Sequence, residues 1–159
     1  MTTTHERHFA RAPRDLVATL LDEAYLAARG DALGGTAPAT LTYEGEIAVV
    51  RFPRRLPLDD VPAPLRALAG SGEIVQVERW ETITDERCAA VWTTESALPG
   101  RMNGTYEVTA TGDGSVYRVV STAKVNVPLI GGKLAGEVEG HSSKLIEAEF
   151  DFLARWLDR

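Results

Sequence analysis

Residues 130–159 carry apolar side chains at a spacing that only a helix aligns, over an arc too wide for a helix lying on a surface. At 100° per residue, Leu134, Val138, His141, Leu145, Ala148, Phe152 and Trp156 fall on one line, and Ile146, Phe150, Leu153 and Leu157 on a second beside it. The C-terminal half is therefore apolar around about half its circumference, where an ordinary surface helix shows a stripe of roughly 100°. Such a helix needs a concave partner, and the rest of the chain must supply it. The N-terminal half differs, because Gly131, Gly132, Gly136, Gly140, Ser142 and Ser143 replace bulk with small residues. Each interior glycine costs a helix about 1 kcal/mol relative to alanine, so the first turns are expected to be the weakest. Lys133, Glu137, Lys144, Glu147, Asp151, Arg155 and Asp158 occupy the remaining arc and read as a solvated face.

The preceding chain has the makings of a sheet. Residues 3–11 alternate with β-compatible Thr, His and Phe and end before Pro13, which suits the first position of a helix. A helical pattern then covers 13–33, with Leu16, Leu20, Ala24 and Ala27 on one row and Val17, Leu21 and Ala28 on the next. Gly30 is expected to divide it into two short helices. From Ala39 the period becomes two: 40–43 and 46–52 flank Glu44-Gly45 as a tight hairpin. Pro53, Pro57, Pro62 and Pro64 exclude a continuing central strand, and Asp59 or Asp60 can cap a short helix ended by Gly70 and Gly72. Residues 73–84 and 88–96 form the next pair of strands, turning at Asp85-Glu86, and Pro99-Gly100 makes another turn.

Asp113-Gly114 signals a two-residue turn with both central residues at positive φ. Counting back pairs Ala110 with Tyr117, Val108 with Val119, Tyr106 with Ser121, Gly104 with Ala123 and Met102 with Val125. All ten are apolar, small or aromatic, so one face of this hairpin is buried and the other wet. Gly104, Ser121 and Ala123 lie close together on the buried face. Either helix atoms approach the sheet there, or space remains.

The elements fill one domain over 1–159, a length at which about 70% of the unfolded surface is buried. Charged residues at 25% and apolar ones at 44% describe a globular chain. A net charge of −6 argues against nucleic acid as a partner, since phosphate affinity comes from clustered Lys and Arg. No apolar run in 1–14 resembles a signal peptide and none elsewhere approaches the ~18 residues of a membrane span, so no stable membrane insertion is expected. The lone Cys88 fits a reducing cytoplasm. Nothing in the pattern sets the oligomeric state.

A strand, two short helices, six strands and one long helix resemble the helix-grip fold of the START-like, polyketide cyclase-like (SRPBCC) superfamily, an α+β fold in which a seven-stranded curved antiparallel sheet wraps around the C-terminal helix. Glu78-Arg79-Trp80-Glu81-Thr82, then Val127-Pro128-Leu129-Ile130-Gly131-Gly132-Lys133-Leu134, and Glu147-Ala148-Glu149-Phe150 with Ala154-Arg155-Trp156-Leu157 are similar to an uncharacterised bacterial branch of it. The resemblance implies a cavity between sheet and helix, open near the helix N-terminus, that takes a small hydrophobic or amphipathic molecule such as a lipid, sterol or polyketide. It implies no cofactor. Some members act as cyclases or hydrolases, and membership alone does not choose among these.

Trp80, Trp92, Tyr106, Ser121, Leu134, Val138 and His141 are the candidate ligand-binding residues. His141 sits at the centre of the apolar stripe, either as a structural, hydrogen-bonded histidine or as a ligand contact or general base. The aromatics serve equally as core or as pocket wall with polar tips. A two-residue turn at Asp85-Glu86 sets Arg79 opposite Trp92 and points Arg79 and Glu81 inward, whereas a three-residue turn sets Trp80 opposite Trp92. No metal is implied, because His5 and His8, three apart on a strand, point to opposite faces, and His141 lies far from both. Cys88 reads as a small hydrophobe.

Overall fold

The computed structural model describes residues 2–55, 63, 66–67, 70–96, 100–129 and 131–159. The element order is β1 (Thr2–Phe9), α1 (Pro13–Leu20), α2 (Glu23–Ala32), β2 (Thr40–Glu44), β3 (Ile47–Arg55), β4 (Glu73–Ile83), β5 (Arg87–Glu95), β6 (Gly100–Thr111), β7 (Gly114–Val125) and α3 (Gly131–Leu157). The strands make one antiparallel sheet in the order β1-β7-β6-β5-β4-β3-β2, curved around α3. This is the α+β architecture expected from the sequence.

The two short helices divide at Asp22 rather than at Gly30. Pro13 opens α1, and Asp22 caps α2 by accepting from the amides of Ala24 and Tyr25 at 3.1 and 3.2 Å. A carboxylate that satisfies orphan N–H groups starts a helix more decisively than a glycine stops one. Gly30 stays inside α2, where its carbonyl accepts from Gly35 at 2.8 Å.

Pro53 also departs from expectation, since β3 continues through it to Arg55. β2 pairs with β3 only as far as Thr40–Arg51, and beyond that point the Pro53 carbonyl accepts from Thr36 on the β2 side. Its missing N–H faces that same side, so the ladder to β4, where Pro53 stands opposite Val75, loses nothing. The turn between β2 and β3 is Gly45-Glu46, with Gly45 at φ 63°, one residue later than expected. The helix expected after Asp59 or Asp60 and the turn at Pro99 lie outside the described residues.

Two registers differ from the sequence reading. In the last hairpin Thr111 pairs with Gly114, so Gly112-Asp113 is the turn and Val108 faces Tyr117. Neither central residue has positive φ. The Asp113 carboxylate instead accepts from Thr111 and bonds His8, while a Cβ on Gly114 would meet the Phe9 carbonyl at 2.1 Å. Gly114 is thus required by the approach of β1, not by the turn. The slip is two residues, so the side chains expected inside remain inside.

In the β4–β5 hairpin, Ile83 pairs with Cys88, which is the register of a two-residue turn at Asp85-Glu86. An irregularity between Trp80 and Thr82 then moves the pairing by one, and Trp92 stands opposite Glu78 rather than Arg79 or Trp80. A bulge at this place reverses which charged residues face the helix. Gln76, Glu78 and Trp80 are buried, whereas Arg79 is partly exposed and bonded to Glu44 on the outer surface.

The second apolar line of α3 is the one pressed into the core. Ile146, Phe150 and Leu153 are buried, with Phe150 set edge-on to Tyr117 at 5.4 Å and to Phe9 at 6.3 Å. Phe152 and Trp156 on the first line are half-buried against Tyr25. The inner face of β1 meets the helix through His5, which bonds Glu147 and Ser143, and through Arg7, which bridges Glu147 and Asp151. Glu147 and Asp151 therefore join a seam rather than a freely solvated face. Near the helix start, buried Glu139 accepts from the Ala123 amide at 2.9 Å, one residue past the last β1–β7 pair. Helix atoms do reach the patch of small residues.

Candidate functional site

Between the N-terminal half of α3, the inner face of the sheet and the end of α2 lies a cavity of about 360 Å³. Leu134, Val138, Leu145 and Ala148 wall it from the helix, and Ile74, Trp92, Met102 and Val119 from the sheet. The exposed residues Ala32, Gly34, Arg55 and Glu137 border it as well, which puts its mouth beside the second turn of α3.

Of the residues singled out from sequence, Trp92, Tyr106, Leu134, Val138 and His141 line this cavity. Trp80 lies deeper and borders a separate void of about 20 Å³ with Tyr25, Arg29, Glu78 and Tyr117. Ser121 is fully buried opposite Thr3 on β1 and borders neither space. Arg79 and Glu81, considered as inward charges, are both away from the cavity; Arg79 pairs with Glu44, and Glu81 sits at the bulge. Trp80, Tyr106 and Trp92 form a continuous stack with ring spacings of 5.9 and 6.0 Å, and Gly104 lets the Trp92 indole lie against β6, since a Cβ there would meet its Nε1 at 2.9 Å.

A polar cluster closes the buried side. Arg29 on α2 donates through both terminal nitrogens to Glu78, at 3.3 and 2.6 Å, and to Glu149 of α3 at 3.2 Å. Arg54 on β3 donates to Gln76 at 3.1 Å and to the Leu33 carbonyl at 3.2 Å, and lies 3.5 Å from Glu149. The Gln76 amide donates to Glu78 at 2.7 Å and to the Tyr106 hydroxyl at 2.6 Å, and that hydroxyl donates to Glu78 at 3.2 Å. Both guanidiniums sit 4.7 Å from the Phe52 ring centre. Phe52 thus orients two cations by their faces while carboxylates take their edges. Arg54, Gln76, Tyr106 and Glu149 border the cavity; Arg29 and Glu78 stand behind them.

Burial raises the Tyr106 phenol well above its ordinary range, and the Glu78 and Glu149 carboxylates push it further. It is a neutral hydroxyl at any physiological pH. Burial opposes the charge on Arg29, but Glu149 and Glu78 outweigh it and hold the guanidinium protonated. The cluster is therefore a fixed arrangement of charges and donors at the buried side of the cavity, the kind that binds polar groups strongly because little reorganises.

Most of this cluster is absent from the sequence reading, although one signal was present. Glu149 is four residues after Leu145 and three before Phe152, so it falls on the apolar line rather than the polar arc. Arg29 likewise falls three after Leu26 and four before Leu33. A carboxylate and a guanidinium on two apolar faces are candidates for each other.

Residues 4–157 match the family described as protein of unknown function DUF2505. The chain belongs to that family. No curated protein matches it in sequence. Among solved structures, TTHA0849 from Thermus thermophilus is similar at 16% identity and a TM-score of 0.63, covering 96% of this chain and 94% of that one. The Zhui aromatase/cyclase from Streptomyces sp. R1128 is similar at 15% identity and a TM-score of 0.61, covering 100% and 94%. The di-domain ARO/CYC BexL from the BE-7585A biosynthetic pathway is similar at 15% identity and a TM-score of 0.63; 96% of this chain aligns with 48% of that one. At these identities the likeness is one of fold. No helix among the described residues is long and apolar enough to cross a membrane.

Proposed function

We propose that this member of the DUF2505 family is a START-like binding protein of the cytoplasm, whose cavity holds a small apolar or amphipathic molecule. The observation that carries the reading is a cavity of about 360 Å³ with apolar walls and a polar end where the buried Arg54, Gln76 and Tyr106 meet the partly buried Glu149. Small-molecule sites have this size and this division between apolar surface and a few fixed polar groups. The flat stack of Trp92 on Tyr106 favours a ligand with rings or a planar unsaturated portion. Two of the similar structures carry aromatase/cyclase names, which supports a polyketide-like molecule.

Native mass spectrometry of freshly purified protein, with an uncharged environment-sensitive dye as second readout, tests the reading. A co-purified small molecule, or dye binding abolished by Val138→Trp, is the expected result. Dye binding at equal strength in a folded Val138→Trp variant removes the cavity from the account.

A second reading is a cyclase- or hydrolase-type enzyme acting on the same ligand. His141 favours it, since it lines the same cavity as the Tyr106 hydroxyl and the Glu149 carboxylate and so places an imidazole, a neutral acid and a carboxylate around one space. A change in mass of a bound ligand over time, lost in His141→Gln, is the mark of this alternative; a ligand recovered unaltered is the mark of binding.

A further inference from the structure

The charges around the cavity's polar end say what kind of group a ligand presents there. Two guanidiniums, Arg29 and Arg54, face two carboxylates, Glu78 and Glu149, and every one of the four is engaged with a member of opposite sign. Gln76 and Tyr106 connect them without adding charge. A carboxylate or phosphate inserted beside Arg54 would leave this buried cluster with an unpaired negative charge, and an ammonium beside Glu149 would leave it with an unpaired positive one. Neither is tolerated in a low-dielectric site without a further counter-charge.

What the cluster does leave for a ligand is unused donors on Arg54 next to an acceptor on Glu149. Arg54 has five N–H groups, of which the bonds to Gln76 and Leu33 engage two. Glu149 meets both arginines through Oε1, so its second oxygen takes no part in those contacts. The Arg54 terminal nitrogen lies 3.5 Å from Glu149 Oε1, and the second carboxylate oxygen is one carboxylate width further, so a single hydroxyl between the two residues can accept from the guanidinium and donate to the carboxylate.

Resting on the binding reading above, we propose that the end of the ligand buried in this cavity is an uncharged hydrogen-bonding group, a hydroxyl or phenol, and that the balance of Arg29 and Arg54 against Glu78 and Glu149 is what excludes ionised ends. The cavity selects alcohols over acids and amines of the same skeleton.

Three straight-chain probes of equal length, decanol, decanoate and decylammonium, competing with the uncharged dye N-phenyl-naphthylamine, measure this. Decanol is expected to displace the dye at a concentration at least about tenfold below either ion. A plainly apolar pocket would give that order too, so the decisive measurement is the response to charge substitutions. Glu149→Gln removes one negative charge and is expected to improve decanoate relative to decanol about tenfold. Gln76→Glu adds one and is expected to improve decylammonium instead. The control Glu86→Gln, a charge change at an exposed residue that does not border the cavity, leaves the order unchanged. Either charge variant suffices if the other fails to fold, which retained dye binding reports. Wild-type preference for an ion, or charge variants that shift all three probes alike, overturns the proposal while leaving the binding reading intact. Failure of every probe to displace dye whose binding Val138→Trp abolishes overturns the proposal alone, whereas failure with dye that binds folded Val138→Trp equally well overturns the binding reading and the proposal with it.

Discussion

The two halves of α3 belong to one continuous helix and repeat the same apolar spacing, yet they are held by opposite means. The C-terminal half meets large side chains, with Phe150 wedged among Phe9 and Tyr117 and Phe152 and Trp156 against Tyr25. The N-terminal half meets a sheet face that carries Gly104, Ser121 and Ala123, and its own Val138, His141 and Leu145 are only half-buried along the cavity. An identical periodicity thus produces a packed core at one end and a space at the other. The helix closes on the small residues at Ala123 through Glu139, while beside them Ile74, Trp92, Met102 and Val119 wall a space whose boundary a polar cluster fills without filling the cavity.

The sharpest way to break this contrast is to truncate one residue from each half. Phe150→Ala is expected to cost about 3 to 5 kcal/mol, because the ring is enclosed on all sides and its loss leaves a hole. Val138→Ala is expected to cost about 1 kcal/mol or less, since much of its surroundings is already empty. Chemical denaturation compares them, and equal losses would mean that the helix is gripped uniformly. Phe152 and Trp156, the largest side chains on the first apolar line, are expected to cost less than Phe150 because both keep part of their surface in water.

High pH probes the same boundary from another direction. Burial, as the first cause, holds the phenols of Tyr25, Tyr106 and Tyr117 above the ordinary value near 10. The folded chain therefore keeps protons that the unfolded chain releases. Stability from these groups is complete below about pH 10 and is lost as pH rises above it. Each contributes a slope of up to about 1.4 kcal/mol per pH unit, so the three together give up to about 4. Denaturation curves at rising pH, followed with phenolate absorbance, measure the slope. Tyr25 and Tyr117 belong to the packed end, whereas Tyr106 borders the cavity. If Tyr106→Phe leaves the slope unchanged, water in the cavity already hydrates that hydroxyl and the polar end is not dry.

Periodicity carried the order of elements, the wide apolar arc of α3 and the inward face of the last hairpin, because each is written in consecutive residues. The two missed registers have causes that alternation does not encode. Gly114 answers to the Phe9 carbonyl, more than one hundred positions away, and the bulge after Trp80 leaves no mark in the pattern of β4. With that bulge, Gln76 and Glu78 turn inward and Val77 turns outward, where it stands between Arg51 and Thr93 and is covered all the same. A strand read alone favours Val75 and Val77 inside. Only the arrival of Arg29 from α2 and Arg54 from β3 makes two buried polar residues affordable at that place. The cavity's apolar wall was thus legible in one helix, while its polar end arises from four elements and belongs to none of them.

The smallest expected effect tests whether the loose half of α3 is loose by sequence or only by its surroundings. Gly140 is exposed on the helix and a Cβ built there meets nothing within 4 Å, so close packing does not require glycine at that position. Alanine at an interior helical position is favoured over glycine by about 1 kcal/mol, chiefly because glycine loses more backbone freedom on folding. Gly140→Ala is accordingly expected to raise stability by up to about 1 kcal/mol and to slow amide exchange over 131–143 without altering exchange over 145–157. Gly140 does not border the cavity, so affinity for a ligand is expected to stay within a small factor while entry past the mouth at Glu137 slows. Exchange over 131–143 that already matches 145–157 in the ligand-free wild-type chain would show that the cavity end is as firmly folded as the packed end. In that event the space beside α3 is a rigid, preformed site, and the contrast between the halves is one of packing alone and not of local stability.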